Sequence, residues 1–528
     1  MTGIDYLIFI IMDNIRAKQF FSLIENGYLP NIKILMNNGL HSDNCICDFP
    51  SVTYPTQVSI MTGTYTGDYL NEDCHGIPSF NWMDRSYGPP ILRSYGSAGS
   101  DEKIQIYKLN EDIGNNCKTL FEYFPENNTS SIGQFINRGT KYFFPEKKWK
   151  LIAYYLALKS ALHPEKILSW TNTLFVKKLI AILKRPKDFF ESKEIPVVNV
   201  LYFFSSDVLF HLKGNNSISY INNLIHYDQL IGILIKKLKE LDIYRNTLII
   251  ITSDHGNYEG KRSSNPKALL KTEGLLNYSN KRIKNANINI AEFGGVGFLY
   301  FRARSSEGKS IWMKPTLKEL EHYGPMKVNL LKTLFNLDGI KRMYYFDDDN
   351  TSEKGMIHLR RKMKKDDKIE NGIIEYEGKG QELKVRYVLE GDHDKIFDYP
   401  LNSLTEKVLD GKYHGINEWF EATAFLDYPL YPYLLSRYFK NPRSSDIVIC
   451  TEGEVVYNIK HGKKQNDRTY SHDIGLRKSM IVPLIISGGS DEIPIKKISH
   501  CRNIDIIPTI MKIFKKSTCE KFLGKSLI

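Results

Sequence analysis

The sequence predicts an α/β protein built on a layered, mostly parallel sheet, and three observations carry that expectation. Short apolar runs rich in Ile, Val, Leu and Phe recur at 6–12, 196–204, 247–252, 446–450 and 481–487. They are continuous rather than alternating, as strands covered on both faces by helices require. Helical patterns lie between them, for example at 217–241 and 327–337, and strands separated by helices argue for a central sheet with helices on both faces. Two regions depart from this pattern. Residues 145–192 are helical, aromatic and basic, with Pro145 and Pro186 near the ends. Residues 341–440 are richer in charge and in β-like alternation (GIIEYEGKGQELKVRYVLEG), then aromatic. The expected organisation is therefore a core of 1–340 and 441–528 carrying a basic helical insertion at about 145–192, with 341–440 as an inserted α+β cap.

The chain has 528 residues, 25% of them charged and 42% hydrophobic, with a net charge of +12. Such a chain buries a sizeable core without disulfides, which excludes a disordered tail, a mini-scaffold or a fibrous repeat. Seven cysteines with no CxxC pair support neither a disulfide framework nor a cysteine zinc site. The apolar run 6–12 lacks a preceding basic segment and a cleavage site and is too short to span a bilayer, so a cytoplasmic location is expected. Between 146 and 187, ten basic residues face two acidic ones, a net +8. Most of the excess charge thus sits in one insertion, which disfavours a general nucleic-acid face. That insertion reads either as amphipathic helices with a solvated basic face or as a lid that attracts anions or rests on acidic lipid.

Ligands of open α/β sheets gather beyond the C-terminal ends of strands. The residues just after the strands are Asp13, Ser206-Asp207 with His211 four further on, and Asp254-His255-Gly256. One such Asp is usually a helix cap. Three, two with a histidine nearby, make the oxygen-plus-imidazole donor set that suits zinc or manganese. A second cluster is Thr53-Tyr54-Pro55-Thr56, ending in Thr62-Gly63. Pro55 suits the first turn of a helix and Gly63 its stop. Thr53 then precedes a helix N-terminus, where free N–H groups favour a phosphate. A hydroxyl is a poor nucleophile at neutral pH unless a base or metal lowers its pKa, so the two clusters need one another.

These motifs in this order, with His75-Gly76-Ile77 and Asn81-Trp82 following the threonine, resemble the alkaline phosphatase superfamily. The likeness is closest to the type I phosphodiesterase/nucleotide pyrophosphatase family. The resemblance implies an alkaline-phosphatase-like fold and a hydrolase that cleaves phosphodiester or nucleotide pyrophosphate bonds through a phospho-threonine. It implies two divalent cations, zinc first and manganese second. Asp13, Thr53, Asp254 and His255 would hold one, and Asp207, His211 and a late histidine the other. His472, just ahead of the strand with Val482-Pro483-Leu484, is the expected last ligand and His461 the reserve. Asn81 matches the family's phosphate-oxygen donor. The same site serves phosphomonoesterases, phosphonate hydrolases and head-group transferases in the superfamily. A basic nucleic-acid or membrane-surface binder with a relic site is the non-enzymatic reading. Two departures stand out: Thr56 replaces the usual Asn, and the 64–74 loop is long.

Overall fold

The computed structural model describes residues 3–86, 90–95, 105–147, 150, 154, 156–158, 160–277, 286–304, 308–389, 391, 393–457, 469–516 and 522–528. His461 lies outside them, as do Lys148, Trp149, Tyr155 and Lys159 of the basic stretch.

The central sheet runs in the order Lys496–Lys497, Leu40–Ile46, Ile481–Gly488, Thr247–Thr252, Tyr6–Met12, Val198–Phe203, Thr129–Ile132, Tyr142–Phe144, with Cys501–Arg502 added beside Leu40–Ile46. Tyr6–Met12 is parallel to both its neighbours, while Ile481–Gly488 runs antiparallel to the strands on either side of it. The continuous apolar runs have the cause expected of them. Ile8, Ile10 and Met12 feed one core and Leu7, Phe9 and Ile11 the other, so the strand is buried on both faces. Helices Pro164–Lys184 and Ile218–Glu240 cover one face through Leu168, Phe175, Leu224 and Leu234. Thr53–Thr62 and Ile506–Ile513 cover the other through Val58, Met61, Ile507 and Ile510. Each buried aliphatic or aromatic side chain contributes about 1.5–3 kcal/mol by leaving water. Ser217 caps the long helix by accepting the Tyr220 N–H at 3.2 Å.

Two expectations change. The 446–450 run is not a central strand: Ile447–Cys450 sits in a second, antiparallel sheet, between Val296–Phe301 and Arg342–Phe346. A run buried on both faces reads alike in either sheet, and its apolar character could not tell them apart. The 327–337 helix shortens to Leu330–Thr333 and one 3₁₀ turn, because Asn329 caps it late by accepting the Lys332 N–H. The second sheet continues through Lys354–Lys362, Ile369–Glu377, Lys384–Val388 and His414–Gly415. The boundary drawn at 340/441 therefore runs through this sheet, since strands from both sides of it are hydrogen-bonded neighbours.

The long 64–74 loop is held by this second layer. Glu72, with its side chain buried, pairs with Arg437 at 3.0 Å and with Lys440, both on the buried helix Tyr431–Lys440. Asn441 donates to the Thr66 hydroxyl at 2.8 Å. Replacing Glu72 by Ala strands two buried cations and should cost about 3–5 kcal/mol, read by denaturant unfolding; a loss no larger than for an exposed Glu would contradict the clasp.

At the far edge, His414 lies 2.7 Å from Asp410 and 2.9 Å from Glu418. Partial burial disfavours its charge, but the two carboxylates outweigh that and raise its pKa. A raised folded pKa means the stabilisation is fully present below the unfolded value of about 6.5. It is lost as pH rises through the higher folded value. His414→Gln should remove that pH-dependent component of stability, measured by urea titrations at about pH 6 and about pH 8.

Candidate functional site

The registers Met12↔Phe203 and Ile11↔Thr252 align the C-terminal ends of three adjacent strands. The residues that follow them, Asp13, Asp207 and Asp254, are thereby delivered to one edge. Asp13 and Asp254 are buried, and Asp207 is half-buried on the first turn of helix Ser205–Lys213, whose last turn carries His211. His472 enters from the segment before Ile481–Gly488. Nitrogen and oxygen atoms of Asp13, Asp254 and His255 lie within 4.8 Å of one another, as do those of Asp207, His255 and His472. His211 Nε2 is 3.2 Å from Asp207 Oδ1, and His472 Nε2 is 3.9 Å from the same oxygen. The structure thus brings together all three carboxylates and all three imidazoles expected from the sequence. His255 belongs to both groups.

The orientation of the imidazoles follows from their other nitrogen. His211 Nδ1 lies 3.2 Å from the Tyr470 carbonyl, His255 Nδ1 3.0 Å from that of Gly256, and His472 Nδ1 3.1 Å from that of Ser51. A carbonyl only accepts, so each Nδ1 is the N–H donor, and each Nε2 turns its lone pair toward the carboxylates. Ser51 returns the bond, its hydroxyl donating to the His472 carbonyl at 2.7 Å. His255 and His472 stack at 3.9 Å between centroids.

The charges are poorly balanced. Burial, then Asp254 and Asp207, push Asp13 well above the usual carboxylate range. Burial raises Asp254 to about 6 against the hydrogen bonds it receives. Burial would raise Asp207 too, but His211 and His472 hold it below the ordinary range. Burial lowers His255 to about 4, and burial with the facing His255 lowers His472 to about 3. Among the described residues the ion-pair partners of the three carboxylates are imidazoles alone. Buried Asp13 Oδ1 accepts no hydrogen bond there. A donor set of this kind, with an orphaned carboxylate oxygen and three lone pairs pointing inward, fits a divalent cation.

Thr53 opens helix Thr53–Thr62 as its first residue, with Val52 in the cap position. It therefore does not cap the helix, and its hydroxyl lies 3.3 Å from His255 Nε2. The first helical bond runs from Thr56 N–H to the Val52 carbonyl, so the Thr53 and Tyr54 amides have no partner within the helix. Pro55 has no N–H to lose, and Gly63 ends the helix in the left-handed region at φ 73°. Asn81 begins the strand Asn81–Asp84, which pairs with Ile91–Ser94. Its neighbour Phe80 packs 4.9 Å from Tyr54. His75, between the motifs, faces Ser59 at 3.0 Å and Asp48 at 3.5 Å in a fully buried cluster apart from the metal-type groups.

Sequence reasoning missed the residues that hold these groups. Asn14, left-handed at φ 63°, donates its side-chain amide to Asp207 Oδ1 at 2.7 Å and its backbone N–H to Asp254 Oδ1 at 3.1 Å. Tyr220 and Asn257 bind it in turn, at 2.8 and 2.6 Å. Gln57, one turn into the Thr53 helix, donates to Asp254 Oδ2 at 2.7 Å, and Tyr202 donates to Asp13 Oδ2. The signal for Asn14 was its place directly after Asp13, since asparagine tolerates φ > 0. Gln57 and Tyr202 gave no separate signal.

With this geometry established, comparison with known proteins is informative. Residues 7–316 match the model of the type I phosphodiesterase / nucleotide pyrophosphatase family. An uncharacterized pyrophosphatase/phosphodiesterase of Schizosaccharomyces pombe is 25% identical over 258 residues, 47% of this chain and 44% of that protein. Human ectonucleotide pyrophosphatase/phosphodiesterase family member 1 is 27% identical over 255 residues, 47% of this chain and 23% of the relative. The chain thus spans less than half the length of the curated relatives it matches. In fold it is similar to human ectonucleotide pyrophosphatase/phosphodiesterase 5, with a TM-score of 0.55 and 13% identity over 98% of this chain and 97% of that one. The match over 7–316 covers more than half of the sequence, and the chain belongs to the type I phosphodiesterase / nucleotide pyrophosphatase family.

Proposed function

We propose that this chain is a metal-dependent hydrolase that cleaves phosphodiester or nucleotide pyrophosphate bonds through a phospho-Thr53 intermediate. The observation that carries this reading is the set of three imidazoles locked at Nδ1 by carbonyls, with Nε2 facing three carboxylates, and Thr53 3.3 Å from one of them. Asp13, Thr53, Asp254 and His255 would hold one divalent cation, and Asp207, His211 and His472 the other, zinc being the first choice. Two such ions, when bound, neutralise phosphoryl oxygens and make a hydroxyl or water a competent nucleophile.

The remaining work falls to the chain. Thr53 supplies the attacking oxygen from the first position of its helix. The free amides there and the helix dipole favour the anionic phosphoryl group. Gln57 ties the same helix to Asp254, so nucleophile and carboxylate move as one body. Asn81, which matches the family's phosphate-oxygen donor, would donate to an equatorial oxygen. Asn14 sets the distance between the two carboxylates it bridges.

With zinc or manganese supplied, the purified protein should hydrolyse p-nitrophenyl thymidine-monophosphate well ahead of p-nitrophenyl phosphate; the reverse order would sink the diester reading. Thr53→Ala should lower turnover by at least about a thousandfold while zinc content stays at the wild-type stoichiometry. Undiminished turnover would remove Thr53 as nucleophile. Asn14→Gly, which keeps the left-handed backbone but deletes the amide, should weaken metal retention by about 10–100-fold in chelator competition. An unchanged metal affinity would show that the carboxylates do not depend on it.

A further inference from the structure

The basic insertion is only partly the solvated surface that its charge suggests. Lys178 is withdrawn from it: its ammonium sits over the rings of Phe189, Phe144 and Tyr142 at 4.7, 5.3 and 5.5 Å, an internal cation–π cage. The exposed positions of helix Pro164–Lys184 form something narrower. Lys166, Trp170, Lys177 and Lys184 are exposed, and at 100° per residue they fall within about 40° of one line along the helix. The opposite face, with Leu168, Phe175 and Leu179, is buried in the core. Trp170 is 61% exposed in the middle of this lysine line.

A second group of side chains joins the line at its N-terminal end. Lys213 reaches Glu165 at 3.4 Å and the Ser219 hydroxyl at 3.0 Å. Leu212 and Ile218 are the chain neighbours of Lys213 and Ser219, and Leu162 lies three residues before Glu165; all three are exposed at this corner, Leu162 at 94% and Ile218 at 77%. The two described acids of the stretch nearest the line are already engaged, Glu165 by Lys213 and Asp188 by Arg185. The corner also borders the candidate site, because helix Ser205–Lys213 carries Asp207 and His211.

We infer that this line and corner form a docking surface for an anionic lipid bilayer. Aliphatic tips and a tryptophan gain by entering the headgroup and acyl boundary, while lysine stems extend their ammonium groups to lipid phosphates. A duplex nucleic acid would leave Leu162 and Ile218 facing a charged backbone. A second copy docking isologously would set the lysine line against itself. Among the described residues no helix is long and apolar enough to cross a membrane; the proposed contact is made by this surface alone. It would rest the protein on the bilayer with the Asp207–His211 side near the surface.

The test is flotation of the full chain with phosphatidylcholine vesicles, with and without phosphatidylserine. Wild type should float with the anionic vesicles and stay in solution with the neutral ones. Replacing Lys166, Lys177 and Lys184 by Gln should weaken binding about fivefold per lysine. Leu162→Ser with Trp170→Ser should weaken it about tenfold or more. Hydrolysis of a soluble nitrophenyl ester should be unchanged in both variants, which verifies that they fold. Failure of the wild type to float, or undiminished binding by either variant, overturns the proposal. So does a concentration-dependent dimer without lipid that Leu162→Ser abolishes, or binding to duplex DNA that needs the lysines but not Leu162.

Discussion

Three carboxylates meeting inside the protein with only imidazoles to face them is the constraint on which the rest of the site depends. Isolated buried charge is among the least favourable arrangements a fold can hold, and here burial raises two of the three acids. The surrounding polar network is what keeps them in register. Asn14 bridges two of them, Gln57 and Tyr202 each hold one, and the carbonyls of Tyr470, Gly256 and Ser51 fix the rings. Removing a holder frees an acid in a place where water cannot compensate it. The economy of the site lies in using backbone carbonyls for the histidines, because these cannot reorient without moving the strands that carry them.

The second sheet gives this arrangement its outer support. Its strands come from within the long 341–440 segment and from both sides of it, and its helix Tyr431–Lys440 grips the loop that follows the Thr53 helix. That loop is the long 64–74 stretch between Gly63 and His75. It is held by a buried ion cluster of Glu72 with Arg437 and Lys440. The Thr53 helix is consequently fastened at both ends, by Gln57 near its start and by the clasped loop beyond Gly63.

Much of this was legible in the sequence because the signals were local. Continuous apolar runs gave the central strands Tyr6–Met12, Val198–Phe203 and Thr247–Thr252, and the residues directly after them gave the acids. The Pro55 and Gly63 positions bounded the Thr53 helix. What escaped depended on partners far away in the chain. Ile447–Cys450 carries no mark of which sheet will accept it, since burial on both faces looks the same in each. The Gln57–Asp254 bond spans 197 residues, and no pattern near Gln57 points to it. Lys178 looked like a solvent lysine until the rings of Tyr142, Phe144 and Phe189 closed around it.

The reciprocal bonds between Ser51 and His472 have a consequence for the order in which the site comes into being. They join segments 421 residues apart, and the second is synthesised long after the first. A nascent chain emerging from the ribosome already carries Asp13, Thr53, Asp207 and Asp254. It lacks the strap that seats Ser51 and the sixth donor that faces Asp207. The acids therefore wait for the segment that carries His472, and the donor set is complete only once it has met Ser51. A chain made only as far as Asp254 thus carries all three acids without the bonds that seat Ser51 and His472 on one another.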